Sequence, residues 1–135
     1  MKRPGTVIVF SILILLGILY EFFGSIITIV YHPSLGIVGL IFVILHILLL
    51  IPRGIMITKF FLLQKRALFW VHVSYGSILG LSILQYLVFF VSISSSGRAV
   101  VHAPSLLIIG VYLFLWWAVA DYIKKKEVDG QPLFT

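Results

Sequence analysis

Glu21 is a carboxylate inside a long apolar run, Val7 to Val30, broken elsewhere only by glycine, tyrosine and small hydroxyl residues. If that run crosses a bilayer, an ionised carboxylate within it costs on the order of 2.5–3.5 kcal/mol or more. Such a group must be paired, protonated or beside water. Two chemistries follow. Glu21 could be a proton or cation site, or it could be a protonated acid hydrogen-bonded to a neighbouring helix.

The histidines offer a second chemistry. His46 lies five residues before the end of an apolar run at Ile51, and His72 lies five residues after the start of another at Ala67. Both would then sit about 7 Å inside the same membrane edge, at 1.5 Å rise per residue. Two imidazoles facing each other across a helical bundle are what a bis-histidine b-type haem requires. Gly76, one turn beyond His72, would let a porphyrin ring approach the backbone. Arg53, Lys59, Lys65 and Arg66 lie on the side where the propionates would emerge. The alternative is that each histidine bonds a carbonyl or faces the interface. His32 and His102, each just ahead of a proline, form a weaker outer pair.

No other constellation reaches that level. The chain has no cysteine, which removes disulfides, thiolate metal sites and thiol redox chemistry. It has no phosphate-binding glycine loop, no HExxH, no GxSxG and no paired carboxylates in a water-facing segment. No metal site is expected, and the sequence leans away from an enzyme.

The elements that must position these residues are apolar. Of 135 residues, 61% are hydrophobic and only 10% are charged, whereas a soluble domain carries roughly 25% charged residues. A span needs about 20 apolar residues. Four runs qualify, at 7–30, 35–51, 67–93 and 104–123. The first is about twice the length of a signal-peptide core and lacks a small-x-small site after it, so it is expected to be a retained span. Pro52-Arg53-Gly54 is expected to end or kink the second span. Residues 52–66 then form a juxtamembrane or interfacial helix, Ser94 to Arg98 a polar loop, and residues 124–135 a charged tail. The expected fold is all-α, a single domain of four transmembrane helices in an antiparallel bundle.

Charge orients it. Nine of the ten lysines and arginines fall on one side of these spans, and Arg98 stands alone on the other. The positive-inside rule then places both termini in the cytoplasm. Trp70, Trp116, Trp117 and Tyr122 fall towards the same side, as an interfacial aromatic belt would. The net charge of +6 therefore reads as span anchoring and contact with anionic head groups, not nucleic-acid binding. Lys124, Lys125 and Lys126 fit a stop-transfer role, and Asp121 is spaced to pair with Lys125.

Small residues mark where membrane helices meet. Gly17 and Gly24 share an arc of the first span with Glu21, Ser25 and Thr28. Gly76 and Gly80 form a GxxxG pair in the third, and Gly110, Phe114, Trp117 and Asp121 share a face of the fourth. These are the expected packing surfaces.

The layout resembles a widespread group of small four-span prokaryotic membrane proteins. Arg3-Pro4-Gly5-Thr6-Val7 followed by Gly17-Ile18-Leu19 is similar to their Arg-Pro-x-Gly-Val start, with glycine one place early. Tyr122-Ile123-Lys124 is similar to their basic ending. Before the third span, Phe60-Phe61-Leu62-Leu63-Gln64-Lys65-Arg66 stands where that group usually has Gly-Leu-Trp with basic residues. The resemblance implies the topology and a prokaryotic cytoplasmic membrane, and it carries over no activity. Glu21 is also placed as in small multidrug exporters, which have a glutamate in their first span, but the aromatic pattern around it differs.

The sequence thus reads as a non-enzymatic integral membrane protein. Its partners would be the lipid bilayer and other membrane subunits or further copies of itself. A haem electron-transfer subunit using His46 and His72, and a small transporter or channel using Glu21, are the rival readings.

Overall fold

The computed structural model describes residues 4–31, 36–92 and 95–135. Four helices make up nearly all of it: α1 (Gly5–Tyr31), α2 (Gly36–Phe61), α3 (Ala67–Ser92) and α4 (Ser95–Lys125). Each contains a stretch long and apolar enough to cross a membrane: Gly5–Gly24, Gly36–Phe61, Ala67–Val88 and Leu106–Lys125.

Each helix turns one seam inward, with inward positions three and four residues apart. On α1 the seam is Val7, Phe10, Ile14, Gly17 and Glu21; on α3 it is Ala67, Val71, Tyr75 and Ile78; on α4 it is Tyr112, Leu115, Val119 and Ile123. This spacing keeps a side-chain row on one face of a helix. The remaining faces are a continuous coat of exposed Leu, Ile, Val and Phe, including Leu16, Ile47 and Leu84. Water would not tolerate a patch of that extent, but lipid chains would.

The second helix does not end at Ile51. It continues through Pro52 to Phe61. Proline removes one backbone N–H from the ladder, and a membrane helix tolerates that loss when neighbours hold the helix together. Here the inward row Phe42, His46, Arg53, Met56 and Phe60 keeps its spacing across the proline. Residues 52–61, expected as part of a separate juxtamembrane helix, therefore continue α2, and Arg53 is an interior residue. The expected polar loop after the third span is likewise helical from Ser95 onward. Ser94, His32 and the first inter-span turn fall outside the described residues.

α2 stops in a tight C-terminal turn. Leu63 N–H donates to Phe60 O and Gln64 N–H to Lys59 O, both at 3.0 Å, with Leu63 at φ 58°. This is the Schellman pairing, built here on a leucine where glycine is usual.

The charged tail folds into a short hairpin. Glu127–Val128 pairs antiparallel with Gln131–Pro132 through Asp129 and Gly130, both at positive φ (52° and 75°). Two consecutive left-handed residues are what a two-residue I′ hairpin turn requires, and Asp-Gly supplies them at low cost. The hairpin folds the chain back. Leu133 and Phe134 are buried, and Phe134 stacks on Phe60 with ring centres 5.4 Å apart. Phe10 and Tyr122 complete the aromatic cluster, at 5.6 Å from each other. Thr135 N–H donates to Leu63 O and Lys65 N–H to Thr135 O, each at 3.0 Å, tying the tail to the α2–α3 turn.

Candidate functional site

Glu21 lies ten residues before the end of α1, and His46 lies ten residues after the start of α2. A short connection therefore brings them to the same level. Arg53 follows His46 by seven residues, two helical turns, on the same face of α2. Side chains tilt towards the N-terminus of their own helix. Where α1 and α2 pass with opposite contact order, Glu21 and Arg53 lean towards each other.

They meet directly: the Arg53 guanidinium donates through Nη1 to Glu21 Oε2, with side chains 4% and 9% exposed. On the other carboxylate oxygen, His46 Nε2 lies 3.0 Å from Oε1. From α4, the Tyr112 hydroxyl donates to Oε2 at 2.9 Å, and its ring lies 5.6 Å from the Arg53 guanidinium carbon. Tyr75 of α3 packs edge-on against Tyr112 at 6.2 Å. One carboxylate thus collects donors from two other helices, and the fourth helix supports one of them.

Hydrogen-bond chemistry fixes part of the proton count. His46 Nδ1 lies 2.7 Å from Phe42 O, and a carbonyl can only accept. Nδ1 therefore carries hydrogen. Nε2 then faces Oε1 across 3.0 Å, while Arg53 and Tyr112 donate to the other carboxylate oxygen.

The remaining candidates go elsewhere. His72 is exposed and accepts at Nδ1 from Trp116 Nε1, 2.9 Å away. His46 and His72 thus have different polar partners. Both nitrogens of His46 are engaged, so binding an iron would require Nε2 to leave Glu21. Gly17 and Gly76 pack inside the bundle: a Cβ on either would sit 3.6 Å from the Tyr112 ring and 3.7 Å from the Trp116 ring. Gly24, Gly80 and Gly110 have open space at that position. On α4 the Gly110, Phe114 and Trp117 face points outward, with Trp117 65% exposed. The inward face carries larger residues, because glycines on α1 and α3 make room for the rings of α4. Asp121 and Lys125 pair at 2.8 Å on the surface. Among the described residues, no group of three or more metal-binding side chains converges.

The sequence reading missed Arg53 and Tyr112 as partners of Glu21. The seven-residue spacing of His46 and Arg53 is a usable signal, hidden when the second span is bounded at Ile51.

These features define an all-helical protein with four helices able to span a membrane and a charged cluster at its centre, the character of an integral membrane protein. No family model, curated protein or solved structure matches the chain.

Proposed function

We propose that this chain is a non-enzymatic, four-span protein of a prokaryotic cytoplasmic membrane that works through helix–helix contacts, as a small subunit of a larger membrane assembly or as a homo-oligomer. The spans form an antiparallel bundle with both termini in the cytoplasm. Opposite contact order supports the antiparallel arrangement: Phe10 meets Phe60, while Glu21, further along α1, meets Arg53 and His46, earlier on α2. His72 meets Trp116, and Tyr75 meets Tyr112, in the same sense. With Arg53 inside, the charge bias still favours this orientation.

The observation that carries the reading is the division of polar and small residues. The ionic cluster holds α1, α2 and α4 to one another. Gly80 and Gly110 face outward with nothing near them. Outward glycines let the backbone of another membrane helix approach closely. Subunit counting by photobleaching in nanodiscs, together with identification of co-purifying proteins in mild detergent, tests it. Assembly that is lost in Gly80→Leu or Gly110→Leu, with the monomer still folded, is expected. A lone monomer in every lipid, with no partner retained, would overturn the proposal.

A second reading draws on the 3.0 Å contact between Glu21 and His46, two side chains able to exchange protons: small-scale proton or cation transport through the cluster. Its test is ion flux in proteoliposomes. Flux that is unchanged in Glu21→Gln would count against it.

A further inference from the structure

Outside the buried cluster, a cleft of about 540 Å³ is lined by Lys59, Gln64, Lys65, Arg66 and Thr135. Three of the five lining residues are cations. Lys59, Lys65 and Arg66 form no ion pair among the described residues, whereas Arg53 and the tail lysine Lys125 are both paired. Their position is set by the fold. Lys59 is in the last turn of α2, and Lys65 and Arg66 lie between the segments Gly36–Phe61 and Ala67–Val88 that can each cross the membrane. The cleft therefore opens where two spans leave the hydrocarbon, at the level of lipid head groups.

It is also a constructed feature. The left-handed Leu63 reverses the chain between Lys59 and Lys65. The tail then docks on that reversal through the two backbone hydrogen bonds of Thr135, placing that residue on the wall of the cleft. The bond from Lys65 N–H to Thr135 O fixes the backbone that carries two of the cations.

From this the geometry points to a binding site for a phosphate-bearing anion, with the phosphodiester head group of an acidic membrane lipid as its occupant. Three converging cations beside an amide and a hydroxyl suit an oxygen-rich anion, because ammonium and guanidinium groups donate to phosphate oxygens in charge-assisted bonds. Basic pockets at the membrane surface between spanning helices are suited to such head groups. The location favours a lipid over a free ion, since a lipid arrives by diffusion in the bilayer and presents its phosphate at this depth. The site rests on the chain's membrane character and is independent of the proposed assembly.

The test is native mass spectrometry of the full chain titrated in detergent with phosphatidylglycerol or phosphatidylcholine. Two charge-matched variants accompany it: Lys59→Gln/Lys65→Gln/Arg66→Gln, and Lys124→Gln/Lys125→Gln/Lys126→Gln. The cleft variant is expected to lose phosphatidylglycerol affinity by on the order of tenfold or more. The tail variant should lose less than threefold, and phosphatidylcholine should bind weakly to all three proteins. Equal losses in the two variants, or no preference for phosphatidylglycerol, would overturn the site. Should the triple variant misfold, Lys59→Gln/Arg66→Gln takes its place. Inorganic phosphate is titrated in parallel by phosphorus NMR. Saturable phosphate binding that needs the same cations, without phosphatidylglycerol binding, would overturn the lipid as occupant.

Discussion

The guanidinium of Arg53 on α2 donates to the carboxylate of Glu21 on α1 inside the helical bundle, with side chains 4% and 9% exposed. Each charge would be expensive alone in that setting. Together, with His46 and Tyr112 filling the remaining valences of the carboxylate, they become a fixed joint between three helices.

Removing one partner should expose the cost of the other. Arg53→Met or Glu21→Leu is expected to destabilise the fold by about 3–5 kcal/mol, the usual penalty for stranding a buried charge. The double variant should recover a large part of that loss. A denaturant titration in detergent micelles reads all three, and a double variant no better than the worse single one would show that the two residues do not act as a pair.

Tyr112→Phe keeps the ring against Gly17 and Tyr75 and deletes only the donor to Glu21. A hydrogen bond to a charged group contributes about 1.5–3 kcal/mol, so a loss in that range is expected from the same titration. A neutral result would mean that the hydroxyl is not bonded to the carboxylate.

At Gly17 the space next to Tyr112 is limited but not closed. A Cβ would rest at ordinary contact distance, 3.6 Å from the ring. Gly17→Ala should therefore be tolerated, whereas Gly17→Leu should cost about 1–3 kcal/mol through overpacking. Thermal unfolding of the two variants, compared side by side, checks the contrast.

The tail should come loose when its anchor is removed. Phe134→Ala deletes the ring stacked on Phe60, a change that costs about 3–5 kcal/mol in a well-packed core. Hydrogen exchange is the measurement. The Lys65 and Thr135 amides should exchange much faster, while the amides of the α1 and α4 midsections should not change.

Lys125→Ala provides the contrasting case. Its partner Asp121 is one turn away on an exposed face, with side chains 75% and 35% exposed. Pairs of this kind contribute about 0.3–0.5 kcal/mol. A shift in unfolding midpoint near the limit of measurement is expected, and a large one would mean that Asp121 holds something beyond Lys125.

Much of the fold follows from the sequence. The apolar runs dictate four spans, because nothing else satisfies so much backbone away from water. The isolated position of Glu21 marks the centre of the site for the same reason: a charge in hydrocarbon needs a partner. The spacing of Asp121 and Lys125 and the inward Gly17 and Gly76 are equally legible, since they depend on helix geometry alone.

What tertiary structure decided was which residue answers which. Arg53 reads as a cytoplasmic anchor until the packed row of α2 carries the helix past Pro52, and only then does it reach Glu21. His46 was matched by depth to His72, but depth measured from the turn between α1 and α2 places it beside Glu21. Tyr112 carries no charge and no motif, so only the packing of α4 against α1 identifies it. The tail shows the same limit, because Asp129-Gly130 encodes a turn while the pocket that receives Phe134 is made by three separate helices. Local rules act within about four residues of chain, whereas each of these partnerships spans two or more helices.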